Sequence, residues 1–191
     1  MKDKLIQQIK DYKPFNEQER KDKDIILTYL KNYDDIFCRT NLIAHMTASG
    51  WVLNKTKDKL LMAYHNLYDS WAWLGGHADG HYDLLEVAVR EVKEESGVKT
   101  VKVLLDDIYS LEILSVDGHF KNGEYVPTHV HLNITYLLQA DEKETITSKE
   151  DENSAVGWFN LIEAVEASNE KWFKGNIYSK LNDKLKYIKI D

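Results

Sequence analysis

This sequence holds little that could cross-link the chain or carry it through a membrane. Cys38 is its only cysteine. A lone thiol excludes an internal disulfide framework and any multi-cysteine zinc site. A reducing, cytoplasmic setting is the expectation. No apolar run approaches the ~18–20 residues that a membrane-spanning helix needs. The opening MKDKLIQQIKDYKPF has no apolar core of a secretory signal. Positive charge is in deficit, with 25 basic against 32 acidic residues and a net charge of −7. That balance argues against duplex nucleic acid as the main partner. It leaves room for a small phosphate ester, because a divalent cation reverses the local sign. There is no repeat, no low-complexity tract, no separate DNA-binding region and no convincing nucleophilic triad.

With 191 residues, one domain with a filled core plus a small extension is expected. Residues 1–36 are rich in Lys, Asp, Glu and Gln, with apolar residues at helical spacing. Leu5, Ile6 and Ile9 form one group, Pro14 breaks it, and Ile26, Leu27, Leu30 and Tyr33 form another. Two helices follow, read as a cap over the core or as a contact for a homodimer. Residues 37–191 form the main domain. LIAHMTASGWVLN and KLLMAYHN read as a strand hairpin across KTKDK. VPTHVHLNITYLLQA is the clearest strand. AVGWFN reads as a short strand, LIEAVEA as a helix and the C-terminal tail as a final helix. Strands with a few helices, not in strict alternation, indicate an α+β fold with a mixed sheet.

The chemistry concentrates in GGHADGHYDLLEVAVREVKEESGV, Gly75 to Val98. Asp83 and Glu86 have capping-box spacing, and Gly97 is placed to end the helix. At about 100° per residue, Leu84, Leu85, Ala88, Val89 and Val92 make an apolar face. Glu91, Glu94 and Glu95 fall along one edge of it. Like charges at these spacings repel by a few tenths of a kcal/mol per pair. Arg90 offsets part of that, and a divalent cation offsets more. Oxygen ligands without histidine or cysteine suit Mg²⁺, or Mn²⁺, better than zinc.

Arg90 to Val98, REVKEESGV, resembles the second half of the Nudix box, REUxEExGU with U apolar, at every specified position. Gly76 sits where the box opens. One position departs: the glutamate after Gx5 would be residue 82, which is Tyr82. The phrase GGHADG…DLLEVAVRE, with TASGWVL before it and HVHLNITYLL after it, looks like a bacterial Nudix subgroup in which that glutamate is relaxed. The box covers 23 residues, the wider likeness about 40–165, and residues 1–36 lie outside it. The resemblance implies an α/β/α sandwich and hydrolysis of a diphosphate linkage in a nucleoside diphosphate derivative, with Mg²⁺. It implies Glu94 and Glu95 as metal ligands, Glu91 as ligand or general base, the Gly75 carbonyl as a further ligand and Arg90 as the residue that orients the glutamates. Tyr82 leaves open a binding or regulatory module that senses such a ligand without turnover.

Other candidates lie around the box. Asp79 and Asp83 are near enough to replace the missing carboxylate, although Asp83 is also the natural helix cap. His77 and His81 flank the loop, with His77 the candidate for substrate or metal contact. His129 and His131 lie on one face of their strand, with His131 the candidate for the substrate cleft. Among Glu150, Asp151 and Glu152, Glu152 is the candidate extra metal ligand. Trp73, with Trp71, is placed to stack on a base.

Overall fold

At the centre of the computed structural model, which describes residues 2–121, 123–149 and 153–189, lies β1 (Ala44–Leu53), a strand buried at every position. Its small and apolar residues, interleaved with His45, Thr47 and Ser49, are buried on both faces. β1 pairs in parallel with β9 (His129–Ala140), from Ala44 opposite Val130 to Leu53 opposite Gln139. It pairs antiparallel with β2 (Lys59–His65), the expected hairpin partner, and with β4 (Leu74–His77). β2 carries β3 (Ser70–Ala72) and β10 (Asn153–Asn160), while β9 carries β5 (Val101–Val103) and β6 (Ser110–Val116). The result is a mixed eight-stranded sheet, with β7 (His119–Lys121) and β8 (Glu124–Val126) as a separate ribbon. The α+β, mixed-sheet expectation holds.

Alternation along β1 separates two faces. Ala44, Met46, Ala48 and Val52 face α3 (Leu84–Ser96) and share a core with Leu5 and Ile9 of α1 (Lys2–Asp11) and Ile26 and Leu30 of α2 (Glu17–Asn32). Trp51 and Leu53, on the other face, pack with Ile177, Tyr178 and Leu181 of the C-terminal segment. That segment runs through α4 (Leu161–Ala167), α5 (Lys171–Phe173), a π-helical turn (Lys174–Tyr178) and α6 (Ser179–Leu185). Helices on both faces of one sheet give the α/β/α sandwich. No helix among the described residues is long and apolar enough to cross a membrane.

α2 covers the open edge of β6. The Asp22 carboxylate accepts from the Ile113 backbone N–H at 3.0 Å, and the Gln18 amide donates to the Leu111 carbonyl at 3.5 Å. Satisfying these groups keeps the edge from templating another strand. Beside it lies a buried charge cluster. Glu19 and Glu112 are fully buried, as nearly are Lys180 and Lys184 of α6. Lys184 reaches Glu19 at 2.8 Å, and Lys180 reaches Glu112 at 2.9 Å and Glu19 at 3.2 Å. The Tyr12 hydroxyl, the Phe15 N–H and the Ser110 hydroxyl also donate to Glu19, at 2.5, 2.7 and 2.7 Å. Burial pushes the Glu19 carboxyl up, but the two ammonium groups more than reverse this and bring it down to about 2.

Removing one partner of such a cluster leaves uncompensated buried charge. Glu19→Ala is therefore expected to lose about 3–5 kcal/mol, read as a lowered urea midpoint. Because the folded value of Glu19 lies below its ordinary 4.5, its stabilisation is complete above that pH and is lost as pH falls toward 2. An unchanged midpoint and an unchanged acid limb in the variant would show that the cluster contributes nothing.

Candidate active site

α3 is held at both ends as its sequence requires. The Asp83 side chain accepts from the Glu86 N–H at 3.1 Å, a cap that contributes about 0.5–2 kcal/mol. Gly97 ends the helix at φ 74°, in the left-handed region that favours glycine. Asp83 is thus the helix cap. The buried face contains Leu84, Val87, Ala88, Val92, Glu95 and Ser96, with Leu85 and Val89 half-buried. The expected stripe is rotated slightly, because α3 lies across β1 and β4, and this rotation carries Glu95 inward.

The glutamates and the glycine pair form one unit. A Cβ on Gly76 would come within 2.5 Å of the Glu91 carboxylate. Only a glycine lets that carboxylate lie against β4. The Gly75 N–H donates to Glu95 at 2.8 Å, and the Asn153 amide donates to the same carboxylate at 3.2 Å. Arg90 sits 2.9 Å from Glu91 and 3.8 Å from Glu94. Glu94 is exposed, Glu91 half-buried and Glu95 buried. Oxygen donors on one helix edge, with one carboxylate seated where a Cβ would be, fit a hard divalent cation.

Tyr82 has a packing role, its ring 4.6 Å from that of Phe37. Asp79 holds Arg39, with Nε–Oδ1 at 2.7 Å and a second, shorter contact. That contact keeps the Asp79 carboxyl below its usual range. His81 is exposed. Glu150, Asp151 and Glu152 lie outside the described residues.

Gly76 and His77 are consecutive, so their side-chain directions are opposite. Gly76 faces α3, and His77 faces the other side of the sheet. There the register brings His77 beside His45 and His131, with ring centroids 5.1 and 4.8 Å away. His129 joins them, its ring 5.0 Å from His131. Burial, then Arg39 and the neighbouring His45, hold the His77 imidazole down at about 3. Burial and the three other imidazoles hold His131 at about 2. His45 is lowered too, mainly by burial. Sequence reasoning named His77, His129 and His131 but missed His45, a single histidine in an apolar strand. Only its parallel pairing with His131 exposes its role.

Further along this face lies a polar stripe. The Thr47 and Ser49 hydroxyls both donate to Asn133 Oδ1 at 2.9 Å, and the Asn133 amide donates to Glu112 at 3.2 Å. Trp73 packs against Trp51, Tyr178 and Phe173. Phe173, with Tyr68, Asp117 and Trp172, also lines a cavity of about 410 Å³. None of the box glutamates lines that cavity.

The NUDIX domain profile matches residues 44–181. The chain belongs to the NUDIX family. A probable DHNTP pyrophosphohydrolase of Lactococcus lactis subsp. cremoris is 29% identical over 146 residues, covering 75% of this chain and 82% of the relative. The C. elegans Ap4A hydrolase, solved as a binary complex, superimposes with a TM-score of 0.55 at 18% identity, covering 75% of this chain and 98% of that one. The E. coli dihydroneopterin triphosphate pyrophosphohydrolase gives a TM-score of 0.52 at 15% identity, covering 72% and 95%. At those identities the two structures establish the shared fold. Family membership makes this Nudix protein a hydrolase acting on pyrophosphate bonds.

Gly76→Ala tests the glycine–glutamate unit. The three nearest atoms to the added Cβ all belong to the Glu91 side chain, so the flexible carboxylate is expected to move rather than the backbone. The melting temperature is expected to change little. Pyrophosphate hydrolysis is expected to fall about 100-fold, the scale of an ångström-sized misplacement. Full activity in the variant would mean that the position of Glu91 is unimportant.

Proposed function

We propose that the protein hydrolyses a pyrophosphate linkage in a nucleoside diphosphate derivative or closely similar ester, with Mg²⁺ or Mn²⁺ as cofactor. The observation that carries this reading is the seating of Glu91 on Gly76 and of Glu95 on the Gly75 N–H. In this reading Glu94, Glu95 and the Gly75 carbonyl hold the cation. Glu91, held by Arg90 at 2.9 Å, is a further ligand or the base that takes a proton from water. A cation held by these groups would neutralise the diphosphate and lower the pKa of a water. Attack on phosphorus then depends on positioning and charge stabilisation, and needs no covalent nucleophile. Tyr82 removes no partner from Arg90, since Glu91 supplies one. Trp73 is assigned to the wall against which the substrate's ring system stacks.

The test is release of phosphate, pyrophosphate or nucleoside monophosphate from a panel with Mg²⁺ or Mn²⁺. Nucleoside diphosphate derivatives make up the panel, and the likeness to the probable DHNTP pyrophosphohydrolase of Lactococcus lactis adds dihydroneopterin triphosphate to it. Metal-dependent turnover is expected, reduced by at least about 100-fold in Glu94→Gln and Glu95→Gln, the scale of losing one charge-stabilising group. Binding of a panel member without any turnover would overturn the hydrolytic reading for these compounds in favour of a ligand-binding module.

A further inference from the structure

We propose that His45, His77 and His131, with His129 beside them, form a second metal site, for a borderline transition ion of which Zn²⁺ is the first candidate. Among the described residues, His45, His77 and His131 each offer a ring nitrogen within 4.8 Å of the others. They come from three strands, β1, β4 and β9, that adjoin only in the folded sheet. His129 Nε2 lies 3.2 Å from His131 Nε2. Two ligands of one tetrahedral ion with Zn–N bonds of ~2.0 Å are separated by about 3.3 Å. The triad nitrogens, within 4.8 Å of one another, would draw closer on binding.

Hydrogen bonds behind the rings point the same way. His45 Nδ1 lies 3.0 Å from the Asn41 carbonyl, and His129 Nδ1 lies 2.8 Å from the Pro127 carbonyl. A carbonyl only accepts, so both Nδ1 atoms carry a proton, and in the neutral imidazole the Nε2 atom then presents the lone pair. This is the outer-shell arrangement that fixes the tautomer of a metal-bound histidine. His45 is 96% buried by its 4% exposure, yet its Nε2 has no hydrogen-bond partner. Leaving such an atom unsatisfied is costly, and a cation would satisfy it. His77 and His131 are only partly buried, which leaves an entry path.

An anion is the weaker occupant. Binding phosphate would need protonated rings, and imidazolium groups this close repel one another. The nearby Arg39 guanidinium is already engaged by Asp79; Lys121 contributes a further positive charge. Nitrogen donors exclude Mg²⁺ as the natural guest and suit Zn²⁺, Co²⁺ or Ni²⁺. The imidazoles lie on the side of β4 opposite Gly76 and the Glu91 carboxylate, the side on which Trp73 packs. A bound ion would tie together the ends of β1, β4 and β9, and so hold the Gly75–Gly76 backbone.

The full-length protein, dialysed against chelator, is titrated with Co²⁺ and its visible d–d absorption is read. Zn²⁺ affinity is then measured by competition with a chelating dye. A single equivalent with the intense spectrum of tetrahedral nitrogen coordination is expected, together with a Zn²⁺-dependent rise in melting temperature. Glu94→Gln is expected to retain this site, so that its failure and that of the hydrolytic reading are distinguishable. His45→Gln and His131→Gln are expected to weaken binding by more than about 100-fold, beyond the 10–100-fold cost of an outer-shell change. Should His45→Gln fail to fold, His77→Gln, at a less deeply buried position, serves in its place. Absence of a tetrahedral Co²⁺ spectrum in the wild-type protein would overturn the proposal. So would wild-type affinity in the histidine variants, or loss in Glu94→Gln.

Discussion

Glu19 and Glu112 are buried close together, and Lys180 and Lys184 make that burial possible by reaching them from the far end of the chain. Unpaired, either carboxylate would cost several kcal/mol to bury. Paired, they fix three elements against one another: α2 near the N-terminus, β6 in the sheet and α6 near the C-terminus. The arrangement is specific because each donor has a defined place. Tyr12, Phe15 and Ser110 complete the coordination of Glu19. Residues 1–36 therefore do more than cover apolar surface, since they supply one of the two carboxylates of a buried charge-balanced cluster.

That cluster continues into the face of the sheet on which the imidazoles lie. Glu112 accepts from Asn133, and Asn133 accepts from Thr47 and Ser49. The polar stripe runs between an aromatic cluster around Trp51 and Trp73 and the histidines at the far ends of β1 and β9. Polar groups in a core are tolerated when each finds partners. Here they order one face of the central parallel pair, while the opposite face is apolar and carries α3. One sheet thus presents two chemically different surfaces. β4 joins them within two residues: Gly76 admits the Glu91 carboxylate on one side, and His77 meets the other imidazoles on the opposite side.

Much of the fold was legible beforehand. The two N-terminal helices, the β1–β2 hairpin, the long strand ending in Ala140, the capped helix from Asp83 to Gly97 and the closing helix are governed by local pattern, and local pattern survives in one dimension. The buried arc of α3 was slightly misjudged, with Val87 inside and Leu85 only half-buried, because a periodicity gives a face but not its tilt on a sheet. The charge cluster was invisible. Glu19, Glu112, Lys180 and Lys184 look like ordinary surface residues, and nothing in their spacing says that they meet. His45 was missed for the same reason.

The sequence by itself determined the chemistry available to the helix: glutamates at i, i+3 and i+4, an arginine beside the first, a cap before and a glycine after. These follow from helical geometry and from a box that matches the NUDIX family at nearly every position. It also determined that Tyr82 is no carboxylate. Only the tertiary structure decided what surrounds these groups. It set Glu91 against Gly76 and Glu95 against the Gly75 N–H. It spent Asp79 on Arg39 and Tyr82 on Phe37. It gathered histidines 45, 77, 129 and 131 at the ends of three strands. The physical reason is that strand pairing is non-local. Which strands become neighbours, and in what register, depends on burying both faces of the sheet at once, and that condition involves the whole chain rather than any stretch of it.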